Sequence, residues 1–193
     1  GLDENKLLIL TVGRYHPKKG FDLIPPTARI LKDKGLDFQW AIAGKNTSEL
    51  LRKFPGSDRE IIAIEKMAGS GGDVFSLPSD ELVELYCAAD IFVLPTLIET
   101  FGMVLVEAMA AGLPIITTDA PGVKDVISEG VNGIKVPAGK PEALAEMICR
   151  LSSDREKSER LSANSVGHAK EFYDWKLVTD KYLHFYQETY NRR

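Results

Sequence analysis

Cysteine is scarce in this sequence: Cys87 and Cys149 are the only two in 193 residues. They are too few and too scattered for a disulfide framework or a metal site, and they read as reduced core thiols of a cytosolic protein. Three histidines without H-x-x-H-type spacing argue against zinc. No Ser-His-Asp or Cys-His pattern stands out as a nucleophile with its base. No apolar run approaches the length that spans a bilayer. A net charge of −4 leaves no basic footprint for nucleic acid. The opening Gly1-Leu2-Asp3-Glu4-Asn5-Lys6 lacks a basic-then-apolar signal pattern, and a start at Gly1 reads as a tag scar or an excised fragment. Internal repeats and low-complexity segments are absent. The Gly69-Ser70-Gly71-Gly72 run marks a loop that neither follows a strand nor opens a helix, so it fails as a dinucleotide fingerprint.

What remains is the make-up of an ordinary globular protein, 44% hydrophobic and 27% charged, long enough for one domain with a sizeable core. The chain is organised around Ile98 to Pro114, I-E-T-F-G-M-V-L-V-E-A-M-A-A-G-L-P. From Met103 to Ala111 every residue is apolar or small except Glu107, which predicts a helix buried nearly all round. An ionised carboxylate there needs a partner, either a core cation or ligand hydroxyls. Glu99 lies eight residues earlier, before the helix can begin, and Gly102 lets the backbone approach a ligand where the first helical N–H groups attract anions. Two carboxylates flanking an anion-binding helix start suit a ligand with hydroxyls at both ends and phosphate between, which describes a nucleotide sugar. The plainer alternatives are a structural ion pair for Glu107 and a solvated loop position for Glu99.

Strands and helices alternate along the chain. Strands are predicted at Leu7 to Val12, Phe38 to Ala43, Val74-Phe75, Ile91 to Leu94, Pro114 to Thr118 and Ile134 to Val136. The helical pattern before Lys34 should break or restart at Pro25-Pro26, and Gly35 should close it. Further helices are expected over about 47–54, 58–67, 80–89 (capped by Ser79), 124–128, 141–152, 154–172 and 175–190 (capped by Asp174). The alternation predicts an α/β fold, a doubly wound, mostly parallel six-stranded sheet with extra carboxyl-terminal helices. Ligands in such sheets bind beyond the carboxyl ends of the strands, where Arg14, Lys19, Ser76-Leu77 and Glu99 fall. Arg14 and Lys19 in the first strand-to-helix loop could neutralise a diphosphate; taken alone, such a pair more often marks a solvated basic loop, a reading that Lys18 alongside supports. His16 has no visible acid or metal partner and reads as a loop residue.

Three stretches then carry a likeness: V-G-R-Y-H-P-K-K-G from Val12, A-A-D-I-F-V-L-P-T from Ala88, and E-T-F-G-M-V-L-V-E-A-M-A-A-G-L-P from Glu99. Together they resemble the carboxyl-terminal, nucleotide-sugar-binding half of retaining GT-B glycosyltransferases, with seven residues between the two glutamates. The resemblance implies that Arg14 and Lys19 hold the donor diphosphate and stabilise the departing charge. It implies that Glu99 touches the donor sugar near the reacting carbon, with Thr100 beside it, and that Glu107 accepts from the ribose hydroxyls. Phe101, Gly102 and Met103 would contact sugar and phosphate through backbone N–H groups, and Ser76 with Leu77 would pack the base. It further implies a Rossmann-like single domain over residues 1–193, lacking the acceptor-binding amino-terminal domain. The donor would be a UDP- or GDP-linked hexose or N-acetylhexosamine, transferred without bound metal or cofactor. The acceptor, a glycan, lipid or small molecule, would bind the missing half. The enzyme would be cytoplasmic, with its full-length form able to lie on the inner membrane, and the isolated domain would bind donor but transfer nothing.

The sequence departs from the family pattern at Pro121-Gly122-Val123-Lys124-Asp125, where a Gly-Gly pair and a Glu are common, at Ala43-Gly44-Lys45-Asn46, and at Phe75-Ser76-Leu77-Pro78. A different class of function is a non-catalytic nucleotide-binding scaffold or sensor on the same fold, against which Glu99 speaks, since nucleotide binding alone needs no carboxylate at the sugar end. An epimerase would need an acid–base pair that is not visible, and a hydride-transfer enzyme a G-x-G-x-x-G in place of G-R-Y-H-P-K-K-G.

Overall fold

The computed structural model describes residues 2–57, 59–65 and 78–191. Its spine is a six-stranded, all-parallel sheet in the order β3-β2-β1-β4-β5-β6. The strands are β1 (Leu7–Val12), β2 (Phe38–Ala43), β3 (Ile61–Ile64), β4 (Ile91–Leu94), β5 (Ile115–Thr118) and β6 (Ile134–Val136). Every residue of β2, β4 and β5 is buried, as expected of strands covered by helices on both faces. The helices are α1 (Ile24–Asp33), α2 (Ser48–Lys53), α3 (Asp80–Ala88), α4 (Met103–Ala110), α5 (Pro141–Ser153), α6 (Arg155–Phe172) and α7 (Trp175–Asn191). α1 packs on α5 and α4 on α6. None of α7's residues is buried, and among the described residues no helix is long and apolar enough to cross a membrane.

Buried hydroxyls stitch the central strands together. The Thr11 hydroxyl donates to the Val93 carbonyl at 2.7 Å, the Trp40 indole N–H donates to Thr11 Oγ1 at 3.0 Å, and the Thr117 hydroxyl donates to the Leu94 carbonyl at 2.9 Å. Polar groups so buried are tolerable because each is hydrogen-bonded.

Most of the expected elements stand where the sequence places them. Pro25 and Pro26 occupy the first turn of α1, so the restart becomes the helix's beginning, preceded by two 3-10 turns at Pro17–Lys19 and Phe21–Leu23. Ser79 caps α3, and Asp174 accepts from the N–H groups of Lys176 and Leu177 at the start of α7. Three expectations need correction. The third strand is Ile61–Ile64, within the expected helix 58–67: its Ile-Ile-Ala-Ile run pairs with the free edge of β2, Trp40 opposite Ile61. Val74 and Phe75 lie outside the described residues. In place of a helix at 124–128 there is a run of turns, because the Asn132 side chain takes the Ser128 N–H at 2.7 Å while Val123, Val126 and Ile127 are buried. Cys87 is exposed rather than part of the core, and Cys149 is half-buried; both are free thiols.

The loop after β1 is anchored from two sides. The Tyr15 N–H donates to the Lys45 carbonyl at 2.9 Å, and the Tyr15 hydroxyl donates to Asp22 Oδ1 at 2.6 Å. Asp22 also pairs with Lys53 at the end of α2. Burial works against the charge of Asp22, but the Lys53 ammonium and the Tyr15 hydroxyl outweigh it and hold the carboxyl below its ordinary 3.8. A lowered folded-state value makes this contribution fully present above the ordinary value and lost as pH falls through the folded one. Because both side chains are about half exposed, Asp22→Asn is expected to cost only about 0.5–1 kcal/mol at neutral pH. Urea melts at pH 7 and pH 3 should show the difference from wild type shrinking at the lower pH; an unchanged difference would rule out this ionic origin.

Candidate functional site

β1 and β4 are neighbours although β2 and β3 intervene in sequence, so the chain order reverses between them. Loops leaving two such strands diverge and open a crevice at their carboxyl ends. Here the two loops are tied together through one carbonyl. Lys18 O accepts from the Leu97 N–H at 2.8 Å and the Ile98 N–H at 3.3 Å, with the Thr96 hydroxyl 3.1 Å away. The Thr118 hydroxyl on β5 in turn donates to the Thr96 carbonyl. Gly20 makes the close approach possible: its φ is +65°, and a Cβ there would stand 2.0 Å from the Pro95 carbonyl oxygen.

This junction brings Lys19 and Glu99 into a direct ion pair between Lys19 Nζ and Glu99 Oε1. The Glu99 side chain is only 7% exposed, the Lys19 side chain 29%. An ammonium has three donors, so Lys19 keeps two for other acceptors. Glu99 Oε2 has no hydrogen-bond partner among the described residues, yet it is not sealed from solvent. The Glu99 backbone is pinned from its other side, where its N–H donates to the Pro121 carbonyl at 3.0 Å. Gly122, with φ +86°, lies so close that a Cβ would fall 2.0 Å from the Glu99 carbonyl oxygen.

A cleft of about 510 Å³ opens here, lined by Arg14, His16, Lys18, Lys19, Glu99 and Thr100 together with Gly13 and Ile98. Three permanent cations face one carboxylate, and that excess of positive charge suits a polyanion. His16 serves the loop itself: its Nδ1 accepts from the Lys18 N–H at 3.2 Å and caps the first 3-10 turn. Among the described residues no group of three or more His, Cys, Asp or Glu side chains is placed to hold a metal ion.

Glu107 stands apart from this lining. α4 is not buried all round as expected: Leu105, Ala108 and Met109 are buried, but Met103 and Ala110 are exposed and Glu107 is half-buried. The helix packs against α6 and β5, and both of its ends reach the surface. The partner that Glu107 requires is Tyr86 on α3, whose hydroxyl donates to Glu107 Oε2 at 2.7 Å. Burial, then the neighbouring carboxylate, push the Tyr86 hydroxyl far above its usual pKa, so it stays a donor. Gly102, with φ +81°, is the residue before α4, and Phe101 and Met103 on either side are exposed.

The cleft therefore gathers Arg14, Lys19, Glu99 and Thr100, while Phe101, Gly102, Met103 and Glu107 follow along the start of α4 without lining it. Ser76 and Leu77 lie outside the described residues. Sequence reasoning missed Tyr86, whose only signal is a lone aromatic in E-L-Y-C-A-A-D, and it missed the turn-capping work of His16.

An open parallel α/β sheet with a cationic cleft at its switch point is the arrangement of a domain that binds phosphorylated ligands. Residues 1–167 match the family described as glycosyl transferases group 1, and the chain belongs to that family. It is 34% identical over 152 residues to the amylovoran biosynthesis glycosyltransferase AmsK of Erwinia amylovora, covering 76% of this chain and 36% of AmsK. The chain thus spans about a third of that relative's length. Among solved structures, sucrose-phosphate synthase from Thermosynechococcus elongatus superposes with a TM-score of 0.81 at 20% identity, covering all of this chain and 47% of the other. Anabaena HepE, solved in complex with UDP-glucose, superposes with a TM-score of 0.79 at 18% identity over 95% of this chain and 49% of its own. The fold is therefore the Rossmann-like one of GT-B glycosyltransferases.

The closeness of Gly122 to Glu99 yields a stability prediction. Gly122→Ala has to strain its own backbone or push the Glu99 loop away, and is expected to cost about 2 kcal/mol or more. A urea midpoint equal to that of wild type would show that the turn gives way freely.

Proposed function

We propose that this chain is the donor-binding domain of a retaining glycosyltransferase, which takes a hexose or N-acetylhexosamine from a UDP- or GDP-linked donor. The observation that carries the reading is the pairing of Lys19 with Glu99 inside a cleft that also holds Arg14 and Thr100. One end of such a cleft favours phosphate and the other favours hydroxyls, and a nucleotide sugar presents both. The binding of UDP-glucose by HepE on the same fold supports the choice of ligand class.

In this reading the Arg14 guanidinium grips the diphosphate with paired donors, and the two remaining Lys19 donors reach its oxygens. As the bond from the anomeric carbon to the diphosphate oxygen breaks, negative charge gathers on the departing diphosphate. Arg14 and Lys19, already in place, stabilise that charge in the role a metal cation plays elsewhere. Glu99 Oε2 accepts from sugar hydroxyls near the reacting carbon, with Thr100 beside it. The backbone N–H groups of Phe101 and Gly102, just ahead of α4, and of Met103, its first residue, meet sugar and phosphate, and Glu107 accepts from the ribose hydroxyls. Ser76 and Leu77 are assigned to the base on the family resemblance alone.

The acceptor, a glycan, lipid or small molecule, binds a facing domain that belongs to the rest of a longer enzyme, and residues 1–193 form one domain of it. The relatives' greater length supports this, as do the exposed apolar side chains of Leu97, Ile98, Phe101 and Met103 beside the cleft. Alone, the domain binds donor and transfers nothing, because the facing half is needed to orient an acceptor and exclude water. The working enzyme acts in the cytoplasm, free or against the membrane surface.

Calorimetric titration with UDP, GDP and ADP tests the reading. At least one is expected to bind, with affinity falling as salt rises. Lys19→Ala is expected to weaken that binding about tenfold or more while the protein still melts cooperatively. Absence of binding by all three at millimolar concentration would remove the donor-site reading, and equal affinity in the variant would remove Lys19 from it.

A further inference from the structure

We propose that Tyr86 is the positioning residue of Glu107: its hydroxyl fixes one carboxylate oxygen so that the other is held ready for the vicinal hydroxyls of a ribose. This rests on the donor-binding reading above and adds to it a residue that touches no ligand.

The geometry separates this pair from an ordinary structural contact. Tyr86 is 2% exposed, and its ring packs on Phe92 of β4 with centroids 5.8 Å apart. Its hydroxyl is therefore delivered from the core and cannot follow a moving carboxylate. It donates to Glu107 Oε2 at 2.7 Å and lies 3.5 Å from the Val104 carbonyl, over the first turn of α4. Glu107 Oε1, by contrast, has no hydrogen-bond partner among the described residues and is open to solvent. The Tyr86 bond restrains the carboxylate from the core side, whatever group meets its other oxygen. One oxygen is thus anchored from the core while the other faces solvent.

The chemistry of the second oxygen selects its ligand. It can only accept, so it attracts hydroxyl groups and repels phosphate. A glutamate free to rotate would present that acceptor in many directions; one tethered through Oε2 presents it in few, which is the preorganisation that recognition benefits from. Ribose recognition should then depend on a phenol that never meets the ribose.

The test uses the 193-residue chain, titrated with UDP, GDP and ADP, each beside its 2′-deoxy counterpart, and with inorganic pyrophosphate. Tyr86→Phe keeps the ring and its packing while removing the hydroxyl. For a nucleotide that binds, it is expected to weaken the ribonucleotide roughly 3- to 10-fold, leave pyrophosphate unchanged, and shrink the preference for ribo over 2′-deoxy. Glu107→Gln should abolish that preference, and the double variant should bind no more weakly than Glu107→Gln alone. If Tyr86→Phe keeps the wild-type ribo preference, or weakens pyrophosphate as much as the nucleotide, the positioning role is overturned while the donor reading survives. If wild type binds a nucleotide but Glu107→Gln leaves the preference intact, Glu107 is not at the ribose and the proposal falls with that assignment. Wild type that binds none of the nucleotides overturns both readings together.

Discussion

One carbonyl, that of Lys18, holds the working end of this protein together. The β1 loop and the β4 loop leave adjacent strands and would naturally splay apart at the point where chain order reverses. Lys18 O receives the Leu97 N–H with good geometry, and Gly20 lies against Pro95 with no side chain to keep the backbones apart. The crevice is consequently a fixed space between two joined loops. Lys19 is the next residue after that carbonyl, and Glu99 follows shortly after its donors, so the ion pair is a direct product of the junction.

The same logic extends outward through successively less local contacts. Thr118 ties β5 to the Thr96 carbonyl, and the Pro121-Gly122 turn presses on the far side of Glu99. On the other flank, Tyr15 reaches both Lys45 and Asp22, which fixes the loop carrying Arg14 against the segment after β2. Most of these contacts tie a loop backbone to the end of a neighbouring strand or the turn after it, and the Tyr15 hydroxyl braces the first loop internally through Asp22. A cleft assembled in this way is held in shape by the sheet beneath it.

Much of the fold was legible because covered parallel strands leave a strong imprint. Leu7–Val12 and Ile91–Leu94 are short apolar runs followed by glycine or proline, and both are strands with nearly the bounds their residues suggest. Ile61–Ile64 was not legible, because a four-residue apolar run beside charged residues fits a helix turn as well as a strand, and the vacant edge of β2 that decides the matter is a tertiary fact. The strand-end argument places Arg14, Lys19, Glu99 and Ser76-Leu77 together; Arg14, Lys19 and Glu99 line one cleft, with Thr100 beside them, and Ser76-Leu77 lie outside the described residues. The ion pair between Lys19 and Glu99 was not foreseen, since the two residues are eighty positions apart and only the Lys18 junction explains their meeting.

Glu107 shows how the protein can hold a half-buried carboxylate by one oxygen alone. Sequence logic offers two alternatives for such a residue, a protein partner or a ligand. The structure supplies a protein partner for one oxygen and leaves the second open. Glu99 repeats the arrangement, with Oε1 held by Lys19 and Oε2 open. The two acceptors differ in what holds them. Glu99 is held by a charge that a phosphate could also attract, so its orientation responds to what occupies the cleft. Glu107 is held by a neutral phenol locked in the core, so its orientation does not. The chain thus carries one acceptor whose orientation responds to its surroundings and one fixed by the core.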